Sequence, residues 1–159
     1  MVAGYWPSEY AQAGYAQLPG FATRAFIEYD DGSESGGWSR IFYAGIWSNG
    51  AQHTYTVSYS AQTAKLHFQI DGASKGTTPW SPDVVWHAPW EGQFYSETLD
   101  SGDDVPGTAG ARADWSLLKV QTTLGTWKNP DGQVLTSDLA AYKNGWTTWP
   151  TAFQTWTSR

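Results

Sequence analysis

The chain has 159 residues, no cysteine, and 15 acidic against 9 basic side chains, for a formal charge of −6. That length suits one domain holding two packed sheets, and the lack of cysteine excludes disulfides and thiolate-held zinc. Scattered basic residues in an acidic chain give phosphate-backbone binding little support, so no nucleic-acid partner is expected.

No run reaches the roughly 18 apolar residues of a membrane helix, so no membrane partner is expected. An extracellular (secreted) protein is expected, and because residues 1–4 lack the basic start and apolar stretch of a signal peptide, an exported chain would be in its mature form here. With 11 Trp, 9 Tyr, 6 Phe and 17 Gly against 1 Met, the composition favours pleated strands and tight turns over helices.

Taken in chain order, strands are expected over 10–18, 22–29 and 40–47. From 52 to 60, His53, Tyr55, Val57 and Tyr59 alternate with Thr54, Thr56, Ser58 and Ser60, the period of a strand with one buried face. Leu66, Phe68 and Ile70 alternate in the same way and run into Asp71 and Gly72, a pair that tolerates positive φ and closes a hairpin. Further strands are expected over 84–87, 93–98 and 115–122. Many short strands between turn clusters argue for an all-β, antiparallel sandwich over 1–125. From 126 to 159 a Trp-rich appendage is expected to pack on the same domain. In it Asn129, Pro130, Asp131 and Gly132 form a turn, and Thr136, Ser137 and Asp138 cap a short helix over 139–142. Trp146, Trp149, Phe153 and Trp156 follow in a wrapping tail.

Two polar residues stand mid-strand among aromatics. Gln12 lies in Tyr10-Ala11-Gln12-Ala13-Gly14-Tyr15, and Glu97 lies in Gly92-Gln93-Phe94-Tyr95-Ser96-Glu97-Thr98. On the residues alone they are polar groups on a solvated sheet face, partners that fix strand register, or an acid and an amide serving one reaction.

The order of segments over 10–122 resembles the glutamic peptidases of the eqolisin type, which are acid-active concanavalin-like sandwiches. Gln12-Ala13-Gly14 matches that family's Gln-x-Gly strand, and Glu97 matches the position of its catalytic Glu. Between them, Phe26-Ile27-Glu28-Tyr29 and the strand over 53–60 are similar to its aromatic-Glu-aromatic and Thr- and Val-rich strands. The resemblance implies a jelly roll and a secreted acid-active endopeptidase for polypeptide substrates, without cofactor or metal. It also implies Glu97 as general base and then acid, Gln12 as oxyanion donor, and Glu28 as a neighbour that positions the site. Trp6, Phe26, Trp47, Trp90 and Tyr95 would bind substrate around them.

Such a carboxylate can take a proton from water while an amide donor stabilises the oxyanion. It works in acid, where His would be charged. The family has more strands before its Gln strand, whereas nine residues precede Tyr10 here. The resemblance therefore implies either a reduced sandwich or strands supplied by association with another chain.

Two other functions suit the same fold. Tryptophans on a concave sheet stack on sugar rings, which makes Trp38, Trp47, Trp80, Trp86 and Trp90 candidates for a lectin-like, carbohydrate-binding module with a polysaccharide partner. Core packing is expected to leave more than half of the tryptophans largely buried. The third function is a structural or virion surface scaffold.

Asp100, Asp103 and Asp104 read as a solvated acidic turn, since their order fits no calcium loop. His53, His67 and His87 fall on three different strands and read as surface or core histidines rather than zinc ligands. Neither a Gly-x-Ser-x-Gly elbow nor a phosphate-cradling Gly loop is present.

Overall fold

The computed structural model describes residues 2–5, 9–17, 22–32, 37–44, 50–82, 91–94, 98, 103–122, 125–137 and 139–158. Every regular element among them is a strand, and the pairings are antiparallel apart from a single parallel contact between Thr157 and Thr108. The chain divides into two compact units, Met1–Tyr95 and Ser96–Arg159.

In the first unit the alternation over 52–70 produces β5 (Tyr55–Ser60) and β6 (Lys65–Ile70), joined through 61–64. The expected hairpin follows, because Asp71 and Gly72 take φ of 53° and 74° and return the chain into β7 (Ala73–Thr77). Asp71 also clamps the start of β5: its carboxylate accepts from the Thr54 amide at 2.9 Å and meets His53 Nδ1 at 2.8 Å. Those hydrogen bonds, led by His53, hold its carboxyl below the ordinary aspartate value.

The second sheet of this unit has five strands. They are β1 (Val2–Tyr5), β2 (Glu9–Ala16), β3 (Arg24–Asp31), β4 (Ser39–Tyr43) and β8 (Glu91–Phe94), in the order β4-β3-β2-β1-β8. β1 precedes the Gln strand and lies between β2 and β8, an element too short for the pattern of alternation to reveal.

One face of this sheet offers the small Ala11, Ala13 and Ala25 with Ile27, and these pack with Leu66, Phe68 and Ile70 of β6 in one buried cluster. Alanines let the backbones approach, and the volume is filled from the other side by Phe68, with Tyr29 stacked on it at 6.0 Å and Trp80 edge-on to Tyr29 at 6.5 Å.

The second unit is built on β9 (Gly107–Thr108), β10 (Ala111–Trp115), β13 (Tyr142–Thr148) and β14 (Ala152–Thr157). Phe153 is buried at its centre, with Trp115 stacked at 5.6 Å and Trp146 edge-on at 6.1 Å from the two neighbouring strands. Gly107 takes φ of 97°, and a Cβ there would stand 2.5 Å from the Ala113 nitrogen and the Thr155 oxygen, so no other residue serves. A small ladder of β11 (Val120–Gln121) and β12 (Trp127–Lys128) completes the unit.

Two expectations are corrected. No helix follows residue 136 among the described residues: 139–141 form a turn and Tyr142 opens β13. Four residues cannot recover the cost of helix nucleation, whereas the tail offers two long strands that pair with each other and with β10. The single strand expected over 115–122 is broken, because Leu117 takes a left-handed φ of 57° between β10 and β11. Of the seven described tryptophans, Trp80, Trp115, Trp146 and Trp156 are partly buried and Trp38, Trp127 and Trp149 are exposed. The strand expected over 84–87 lies outside the described residues.

Phe68 carries the first unit's core, so Phe68→Ala should lower stability by about 3–5 kcal/mol in urea unfolding. A loss under about 1 kcal/mol, the scale of a surface change, would contradict this packing.

Candidate functional site

Because side chains alternate across a strand, the residues between the core alanines point to the opposite face of the five-stranded sheet. In register there, Gln12 of β2 stands beside Glu28 of β3, and Glu28 stands beside Arg40 of β4. The row continues on the other side of Gln12 through position 3 of β1 to position 93 of β8. The neighbouring row is Gly14, Phe26 and Phe42, with the two phenyl rings 6.1 Å apart.

Glu28 is the centre of this face. It is only 2% exposed, yet it is met by four donors. Tyr10 Oη donates to Oε1 at 2.5 Å and Trp38 Nε1 donates to the same oxygen at 2.8 Å. Gln12 Nε2 donates to Oε2 at 3.0 Å and Arg40 Nε donates to it at 2.5 Å. A carboxylate offers about four acceptor positions, so the set is full.

Burial alone pushes the Glu28 carboxyl up, but the hydrogen bonds from Arg40, Tyr10, Trp38 and Gln12 together outweigh it and hold the group below the ordinary glutamate value. Tyr10 is affected in the opposite sense: burial first, then its bond to Glu28 and that charge, push its phenol well above the usual range and keep it a donor. A saturated carboxylate that is reluctant to take a proton is a poor general base. Its chemical role is to orient what surrounds it.

What it orients is partly open to solvent. Trp38 is 53% exposed although its indole nitrogen is tied down. Just before it, Gly37 has no room for a side chain, because the Asp31 carboxylate fills the space where one would begin. Arg40 lies with its guanidinium carbon 5.6 Å from the Phe26 ring centre and 5.7 Å from that of Trp38. Its side chain is 28% exposed.

The structure thus brings Gln12, Glu28 and Phe26 together, with Gln12 at 5% and Phe26 at 2% exposure. The Gln12 amide presents its NH2 to Glu28, since a carboxylate oxygen only accepts. Glu97, Trp6, Trp47, Trp90 and Tyr95 lie outside the described residues, as does Trp86, and Glu97 comes three residues after the end of β8. Trp80 stands at the core cluster of the first unit rather than on this face.

Tyr10 and Arg40 were not singled out from the sequence. Their signal is parity: Tyr10 precedes Gln12 by two residues, as Trp38 precedes Arg40. His53 is held by Asp71 and His67 by Thr63, while His87 lies outside the described residues. Among the described residues no group of three His, Asp or Glu is arranged to hold a metal ion. Comparison with protein-family models, with curated proteins and with solved structures returned no match.

A carboxyl held below its ordinary value stabilises the fold above that value, and the contribution is lost as the pH falls through the folded value. Unfolding of the parent and of Glu28→Gln, measured from pH 7 downwards, should therefore show the parent's advantage shrinking once the pH drops below the ordinary glutamate value of 4.5. An advantage that grows in acid would contradict the assignment of an ionised, hydrogen-bonded Glu28.

Proposed function

We propose that the chain is a carbohydrate-binding module on a concanavalin-like sandwich. It takes saccharides on the face formed by Tyr10, Gln12, Glu28, Trp38 and Arg40. The observation that carries this reading is Trp38, a large ring left 53% exposed while its nitrogen is fixed by a carboxylate that is itself buried.

Exposing an indole and desolvating a carboxylate both work against stability. Together they produce a flat apolar surface held in one orientation, which a pyranose ring can cover without the entropy loss of ordering a mobile side chain. The neighbouring Arg40, Gln12 and Tyr10 supply polar groups at the rim, where sugar hydroxyls need partners. Acid–base chemistry has weaker support here, because Glu28 is saturated and the Gln12 amide is committed to it. The eqolisin-like alternative would rest on Glu97, which lies outside the described residues.

Calorimetric titration with a panel of neutral and acidic polysaccharides tests the proposal. At least one should bind, and Trp38→Ala should abolish that binding at a cost in stability of about 1–3 kcal/mol for the hydrogen bond that Glu28 loses, with a circular-dichroism spectrum like the parent's showing that the fold is kept. Trp149→Ala, in the other unit, should bind like the parent. No binding across the panel, or full binding by Trp38→Ala, would defeat the proposal. Cleavage of an unfolded protein in acid that is lost in Glu97→Gln would assign the chain to proteolysis instead.

A further inference from the structure

Arg40 carries information beyond the stacking surface. Its Nε is occupied by Glu28, its planar head lies against Phe26 and Trp38, and among the described residues no hydrogen bond or ion pair joins its Nη1 or Nη2. The outer edge of the guanidinium is therefore fixed in direction and open to a ligand, beside the exposed ring of Trp38. Two parallel N–H donors in a rigid fork match a carboxylate better than they match a single hydroxyl.

Resting on the saccharide reading above, we infer that this face selects sugars bearing a carboxylate on the ring that stacks on Trp38, with Arg40 holding that carboxylate through Nη1 and Nη2. The ligand class is a uronic acid residue within an otherwise neutral glycan. The chain's formal charge of −6 argues against a continuous polyanion, whose approach would be repelled over the whole surface. Asp30 stands two residues along β3 from Glu28, beside Tyr10 in register, and adds to that repulsion. A single carboxylate avoids most of this cost, and with Glu28 on the inner side of Arg40 its gain is the short-range pair of charge-assisted hydrogen bonds to Nη1 and Nη2.

The arrangement assigns each group one role. Glu28 neutralises and aims the inner side of Arg40, which keeps the guanidinium from swinging into solvent. Trp38 bounds the sugar from one side, and Arg40 reads its acidic substituent. A lysine at position 40 could still pair with Glu28, but it would present a point charge without the fork.

The test uses disaccharides matched except for one carboxylate, in the gluco, galacto and manno series: a uronate-bearing member against its neutral counterpart, titrated calorimetrically into the whole protein. In any series that binds, the uronate should be tighter by roughly 10- to 100-fold, the scale of hydrogen bonds to a charged group. Added salt should narrow that gap. Arg40→Lys should lose most of the preference, the affinity for the uronate falling close to that of the same variant for the neutral member.

Equal affinity for the two members of every binding series would overturn the inference while leaving the saccharide reading in place. The same holds if Arg40→Lys keeps the full preference. If no disaccharide or polysaccharide binds at all, both fall together.

Discussion

The first unit depends on how the sheet accommodates one buried negative charge. Glu28 sits in the middle strand of β4, β3 and β2, where water cannot solvate it, and an isolated carboxylate there would be costly. Its neighbours in register are an amide on one side and a guanidinium on the other, while a phenol and an indole reach it from Tyr10 and Trp38. The charge is thereby satisfied entirely by side chains. That satisfaction fixes five side chains on one face, which hydrophobic packing, being non-directional, does not do.

The two faces of the same sheet consequently do different work. On one, Ala11, Ala13, Ala25 and Ile27 are buried with Leu66, Phe68 and Ile70 of the three-stranded sheet and supply stability. On the other, polar and aromatic residues at alternate positions specify geometry. A single-residue slip of β2 against β3 would turn Ala11 and Ala13 to the polar face and put Gln12 in the core in their place. The Glu28 network thus reinforces the register that the core selects.

Much of this was legible in the sequence. Strict alternation identified β5 and β6, and Asp71-Gly72 identified their continuation into β7, because side-chain period and turn chemistry are local properties. Gln12 and Glu28 were legible as polar residues among aromatics. Their partnership was not, since it follows from cross-strand register, which no local pattern contains. Arg40 was hidden for the same reason, 12 residues from the glutamate it meets. The tail misled because Thr136, Ser137 and Asp138 form a good helix cap. A cap signal cannot weigh the competing pairing of β13 with β14, which tertiary contacts decide. β1 went unread because four residues carry too little periodicity.

The central claim is that a buried carboxylate holds an exposed indole still before any ligand arrives. The direct measurement is hydrogen exchange and relaxation of the Trp38 Nε1–H in nitrogen-15-labelled protein without ligand. The account predicts an exchange rate well below that of a free indole and an order parameter near that of rigid backbone, about 0.85. Exchange as fast as in an unstructured peptide, with an order parameter below about 0.6, would show a mobile ring and contradict it.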